Sequence, residues 1–148
     1  MKDTYKTLNE LLVNMFNEVL TIEEKALITK EFSNISITDM HIIEAIGLGS
    51  GRNMSSVAKD LDITVGTLTI AINNLVKKGY VNRNRSTKDR RVVLISLSDT
   101  GKKAYDHHED FHKNMIEEII AMLKDEEIEV FTTAVSNINK YFKKIKNE

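Results

Sequence analysis

Residues 55–97 read SSVAKDLDITVGTLTIAINNLVKKGYVNRNRSTKDRRVVLISL, and this stretch decides the fold. Val57, Ala58 and Leu61 recur at the spacing of one helical face. Asp62-Ile63 makes a turn, and Thr64 offers a side-chain oxygen to the first free N–H groups of a second helix. In that helix Leu68, Ile72, Leu75 and Val76 are expected to face inward, and Gly79 supplies the stop. Tyr80 to Arg85 and Val93 to Leu97 then alternate apolar and polar residues, the period of a strand. Between them lies Ser86-Thr87-Lys88-Asp89-Arg90-Arg91, polar and basic.

Two short helices followed by a hairpin with a basic tip form a winged helix-turn-helix. Working outward on the N-terminal side, Ser36-Ile37-Thr38-Asp39 has the form of a capping box that opens a short helix. Met40, Ile43 and Ile46 lie on its inner face. Gly47-Leu48-Gly49-Ser50-Gly51 ends it as a turn. A phosphate-binding loop is a poor reading of this glycine run. It follows a helix rather than a strand, and no lysine-bearing helix opens after it.

Residues 4–30 read as one long helix with a stripe of Leu8, Leu12, Met15, Val19, Ile22 and Ala26, widened by Leu11, Phe16, Leu20 and Leu27. So broad an apolar face predicts contact with two layers. On the C-terminal side a helix is expected from residues 98–101 to about residue 123, with the stripe Ala104, His108, Phe111, Met115, Ile119 and Met122. A last helix over residues 125–146 carries Ile128, Phe131, Val135, Ile138, Phe142 and Ile145 in a heptad seam, which favours packing against a second chain. The expected architecture is mainly α with a small β wing. A single unit spans 1–148, with a DNA-binding part at 36–97 and helical dimerisation parts at 4–30 and 101–146.

Composition narrows the function. The chain has 148 residues and no cysteine, which excludes disulfide frameworks, thiol catalysis and thiolate metal sites. No apolar run reaches the roughly 18 residues a membrane span needs. The polar N-terminus carries no visible secretory signal, so a cytoplasmic protein without a membrane partner is expected. The net charge is −1, yet residues 52–91 hold nine cations against three anions, a local surplus of six. A basic middle between acidic ends is the charge asymmetry of a DNA-reading module.

The second helix of the motif is expected to lie in the major groove, which admits an α-helix. With Leu68, Ile72 and Leu75 buried, Gly66, Ile70, Asn73 and Lys77 lie opposite, flanked by Thr67 and Thr69. Thr64, Thr67, Thr69 and Asn73 can exchange hydrogen bonds with bases or phosphates. Ile70 suits thymine methyl groups, and Gly66 lets the backbone approach DNA. This face holds no arginine to grip guanine, so an A/T-leaning site follows. On the wing, Arg90 or Arg91 is placed for a minor groove, where narrow A/T tracts concentrate negative potential. Arg83, Arg85 and Lys88 are placed for phosphates. Asp89 is expected to pair with a neighbouring arginine and fix its direction. A two-fold pair of such modules reads a palindrome.

His108 and His112 stand four apart on one helical face, and His41 is distant in sequence. Zinc or nickel binding is one reading. A packing or ligand-pocket role is preferred, so no metal and no cofactor are assigned. Without a serine or cysteine nucleophile motif beside them, the histidines give no enzyme.

The runs Thr64-Val65-Gly66-Thr67-Leu68-Thr69, Asn74-Leu75-Val76-Lys77-Lys78-Gly79-Tyr80-Val81, Asp89-Arg90-Arg91 and Leu97-Ser98-Asp99-Thr100-Gly101 resemble the multiple-antibiotic-resistance-regulator (MarR) family of winged-helix repressors. Ser98 stands where the family more often has threonine; either hydroxyl caps a helix. Within that family the chain is most similar to the FabT-type repressors of fatty-acid synthesis. The likeness rests on residues 35–41, 64–69, 73–75, 83–93 and 111–116. The resemblance implies a homodimeric repressor on double-stranded DNA, controlling fatty-acid synthesis genes, with long-chain acyl groups on acyl carrier protein as co-repressor. An apolar slot lined by Phe16, Ile42, Ile46, Phe111 and Met115, beside His41 and His108, is compatible with this. The alternative is a regulator of the same family that answers to a metal or another small ligand and controls different genes.

Overall fold

The computed structural model describes residues 1–148. The element order is α1 (Lys2–Leu27), α2 (Ile37–Ile46), β1 (Arg52–Asn53), α3 (Met54–Leu61), α4 (Val65–Lys77), β2 (Val81–Arg85), β3 (Val93–Leu97), α5 (Asp99–Ala121) and α6 (Asp125–Lys146). The three strands form one antiparallel sheet in the order β1-β3-β2. Two compact units divide the chain at residues 1–111 and 112–148, and α5 runs through the division. The winged helix-turn-helix lies in the first.

Local chemistry sets the boundaries. At α2 the Ser36 hydroxyl accepts from the Asp39 N–H, and the Asp39 carboxylate accepts from the Ser36 N–H, a complete capping box. Ser36→Ala is expected to cost about 1 kcal/mol, measured as a lower urea midpoint with unchanged m. Thr64 caps α4 through the Thr67 N–H. At the far end Gly79 takes φ 84. The Tyr80 N–H donates to the Leu75 carbonyl and the Gly79 N–H to the Val76 carbonyl, closing a Schellman turn in which glycine tolerates the positive φ.

The core of the first unit gathers one face of each helix against the sheet. Met40, Ile43 and Ile46 come from α2, Val57 and Ala58 from α3, Leu68, Ile72 and Leu75 from α4, and Ile95 and Leu97 from β3. Leu27 at the end of α1, with Phe32 and Ile35 between α1 and α2, closes it. Tyr80 joins by burying its ring while its hydroxyl donates to Asn34 Oδ1 at 2.7 Å.

Three expectations shift, and one element had no expectation. The first helix ends at Leu27 rather than residue 30, because Ile28 leaves helical geometry and a turn through Thr29 sends Phe32 into the core. Val76 is 38% exposed rather than inward, since it sits about 100° around the helix from Leu75. Met122 is 75% exposed, lying past the last residue of α5. Finally, β1 had no signal: two residues are too short to show alternation, and pairing with Leu94 and Ile95 creates the strand.

In the second unit α6 matches the expected span. The Glu127 carboxylate reaches back to the Lys124 N–H. Asp125, Glu126 and Glu127 stand in its first turn and Lys143, Lys144 and Lys146 in its last, each sign complementing the helix dipole. No residue of α6 is buried, and Phe131, Val135, Ile138, Phe142 and Ile145 remain open. No helix is long and apolar enough to cross a membrane.

Candidate nucleic-acid interface

The outward face of α4 carries the residues expected there. Thr64, Gly66, Thr67, Asn73 and Lys77 are exposed, Ile70 is 68% exposed, and Thr69 is half-buried. The N-terminal turn holds its hydroxyls in a fixed pattern. Thr64 donates to Thr67 Oγ1 at 2.9 Å, and Thr69 donates to the Val65 carbonyl at 2.8 Å. Both hydroxyls keep lone pairs for an outside donor.

Gly66 separates fold from function. A Cβ there would meet nothing nearer than Thr64 Oγ1 at 3.9 Å, so packing does not require glycine. Gly66→Ala is expected to leave stability unchanged or raise it by about 0.5–1 kcal/mol, since alanine is the better helix former. The same variant is expected to weaken DNA binding, because the added methyl stands on the approaching backbone. A thermal melt and a DNA titration on the same preparation check both halves.

The wing is organised by a few polar contacts. Asp89 accepts from the Arg91 N–H, from Arg91 Nε and from Arg91 Nη2, each at 3.1 Å. These bonds from the Arg91 side chain and backbone hold the Asp89 carboxyl below its ordinary range, so it stays charged and keeps the guanidinium folded back. Arg90 is exposed, and its carbonyl accepts from Arg85 Nη1 at 2.8 Å. Arg83 donates through Nη2 to Asn73 Oδ1, linking the wing to the recognition helix.

These contacts sort the basic residues. Arg85 braces the wing backbone, and Arg83 and Asn73 act as a pair rather than separately. Lys88, Arg90 and Lys77 are exposed. Arg52, counted in the basic surplus, is a structural residue: it donates to the Ala45 carbonyl at 2.6 Å and to Asp60 at 2.7 Å.

The residues expected to form a ligand slot come from α1, α2 and α5. Ile42 and Ile46 are buried in the core of the first unit, with Phe111 packed partly against it. Phe16 stands on the exposed side of α1, 47% open. Met115 belongs to the second unit. His41 and Ile42 do border a cavity of about 230 Å³, together with Thr38, Leu61, Ile63, Thr67 and Ala71. Thus two of the expected slot residues share a cavity with the recognition helix.

His41 and His108 meet at a residue the sequence reading missed. Glu23, on α1, is buried, and its Oε1 lies 3.0 Å from both His41 Nε2 and His108 Nε2. Burial acts to raise its pKa, but the hydrogen bonds and charge of the two imidazoles outweigh it and hold the carboxyl below its usual value. An acidic residue inside an apolar stripe was the available signal.

Known proteins bear on this geometry. The family described as Transcriptional regulator SarA/Rot matches residues 24–108. Regulator SarZ of Staphylococcus saprophyticus is 32% identical over 113 residues, covering 76% of this chain and 76% of that one. The uncharacterised regulator YwaE of Bacillus subtilis is 30% identical over 124 residues, covering 83% and 67%. Among solved structures, Streptococcus pneumoniae FabT in complex with DNA superposes with a TM-score of 0.89 at 41% identity, covering 95% of this chain and 99% of that one. With a winged helix-turn-helix whose reading face and wing are both open to solvent, and with relatives that are transcriptional regulators rather than enzymes, the chain belongs to the MarR family of winged-helix transcriptional regulators.

Proposed function

We propose that the protein is a cytoplasmic, homodimeric repressor that reads an A/T-rich palindrome at fatty-acid synthesis genes, with long-chain acyl-acyl carrier protein as co-repressor. The observation that carries this reading is the 41% identity, over 95% of the chain, to a FabT structure bound to DNA.

The chemistry of the reading face supports the A/T preference. Ile70 offers a methyl-contacting surface, the threonines offer short hydrogen-bonding groups, and no arginine on α4 is available for guanine. On the wing, Arg90 is the minor-groove residue, because Asp89 already holds Arg91. Lys77, Lys88 and the Arg83–Asn73 pair serve phosphates and register. Dimerisation is supported separately in each unit. In the first, α1 leaves Leu8, Leu11, Met15 and Leu20 open. In the second, α6 leaves its heptad seam open.

The test is an anisotropy titration on an A/T-rich palindromic duplex from a fatty-acid synthesis promoter. Specific binding that weakens with salt is expected, tightened by long-chain acyl-acyl carrier protein and unchanged by the unacylated carrier. Absence of specific binding overturns the DNA-reading account. Binding that ignores the acylated carrier overturns the co-repressor and leaves a regulator answering to another ligand.

A further inference from the structure

We propose that Glu23, His41 and His108 form a binding site for one divalent transition-metal ion, of the zinc class. Three helices deliver the three donors: α1 brings Glu23, α2 brings His41 and α5 brings His108. Their ligand atoms all lie within 4.8 Å of one another.

The convergence is tighter than packing requires. Both Nε2 atoms sit 3.0 Å from the same oxygen, Glu23 Oε1. Ligands at zinc's usual bond lengths around a tetrahedral ion stand about 3.4 Å apart. For each imidazole against the carboxylate, an ion therefore needs a separation greater by only a few tenths of an ångström. The two imidazoles are stacked with centroids 5.7 Å apart and planes 28° from parallel, so their Nε2 atoms reach the carboxylate side by side. Two of the donor residues, Glu23 and His108, are buried, and His41 is half-buried, which leaves the ion a way in on the His41 side.

The remaining nitrogen of His108 strengthens the assignment. Its Nδ1 faces Glu44 Oε2 at 3.6 Å. A metal-bound histidine keeps its lone pair on the metal side and its N–H on the other, commonly toward a carboxylate. With Nε2 on an ion, Nδ1–H would point at Glu44, so both sides of this ring are matched at once. Two imidazoles and one carboxylate suit zinc, with cobalt, nickel and iron as chemical neighbours; the hard, oxygen-seeking calcium and magnesium are excluded by the nitrogen donors. The site stands whichever genes the protein controls.

The experiment uses the full chain, freed of metal with a chelator and titrated with Co²⁺ and then Zn²⁺. One equivalent of Co²⁺ per chain is expected, with the strong visible bands of a four- or five-coordinate ion and loss of those bands on adding Zn²⁺. His41→Ala lies at the half-exposed edge of the site and should leave a folded chain with a cooperative melt while weakening metal binding by about 100-fold or more. Glu44→Gln, with an exposed carboxylate, should weaken it by about tenfold through the orientation of His108. A chain that takes up no stoichiometric Co²⁺ or Zn²⁺ overturns the proposal and leaves a hydrogen-bonded Glu–His–His cluster. Binding that His41→Ala does not weaken also overturns it, because the ion then sits elsewhere.

Discussion

Replacing Arg90 and Arg91 together with alanine is expected to weaken specific DNA binding by roughly 100-fold at moderate salt, with the melting temperature unchanged. Both side chains are exposed, and the bond of Arg91 to Asp89 is a surface pair, so the fold loses little. A dimer presents both arginines twice, so up to four cationic contacts are lost. The slope of log affinity against log salt should become shallower by about 2 to 4, close to one unit for each cationic contact with DNA removed. The single variants should not share the loss equally. Arg91 is already engaged by Asp89 through two side-chain bonds, whereas Arg90 lends only its carbonyl, to Arg85. Arg90→Ala should therefore account for most of the loss. Equal affinity in the double variant and the wild type would remove the wing from the interface.

Gly101→Ala is expected to be the most damaging single methyl in the chain. A Cβ at this position would lie 2.1 Å from the Tyr80 carbonyl oxygen and 3.3 Å from Leu97 Cβ. Neither neighbour can give way cheaply. The Tyr80 carbonyl accepts the Ser98 N–H at 3.0 Å, and Tyr80 is itself buried. Ser98 also donates to the Gly79 carbonyl and caps α5 by accepting the Gly101 N–H at 3.1 Å. The added methyl must thus displace backbone at the junction of recognition helix, sheet and α5. A loss of about 3 kcal/mol is expected. For a chain of this size that corresponds to a fall of about 10 °C in melting temperature, compared at one protein concentration. The contrast with Gly66→Ala makes the argument specific: the same substitution is harmless to the fold where the space is open.

The same Gly101 shows why much of the fold was legible. From Ser36 to Gly101, the helix boundaries are written in local chemistry: a capping box, a threonine cap, a glycine at positive φ and a serine cap with a glycine one turn later. Such signals act over three or four residues, and a single sequence displays them. The reading face of α4 follows from periodicity alone, because burying Leu68, Ile72 and Leu75 leaves Gly66, Ile70 and Asn73 outside.

What escaped the sequence depends on residues that meet only in the folded chain. Glu23 lies 18 residues from His41 and 85 from His108, so their convergence has no local trace. Within α1 the one local trace of Glu23 is a charge between Leu20 and Leu27 on the apolar stripe, which names no partner. Arg83 and Asn73 read as two separate DNA contacts in the sequence, and only the fold pairs them. Strand β1 exists only through its partner β3. The broad apolar stripe of α1 was legible as a stripe, but Leu27 is its one buried apolar residue within a single chain.

The central claim is that two copies of this chain read one duplex through paired α4 helices and wings. Sedimentation of the protein with a fluorescent A/T-rich palindromic duplex, read at the duplex label, measures it directly. Two chains on each duplex, with a half-palindrome binding far more weakly, is the predicted result. One chain per duplex with undiminished affinity for the half-site would contradict the account.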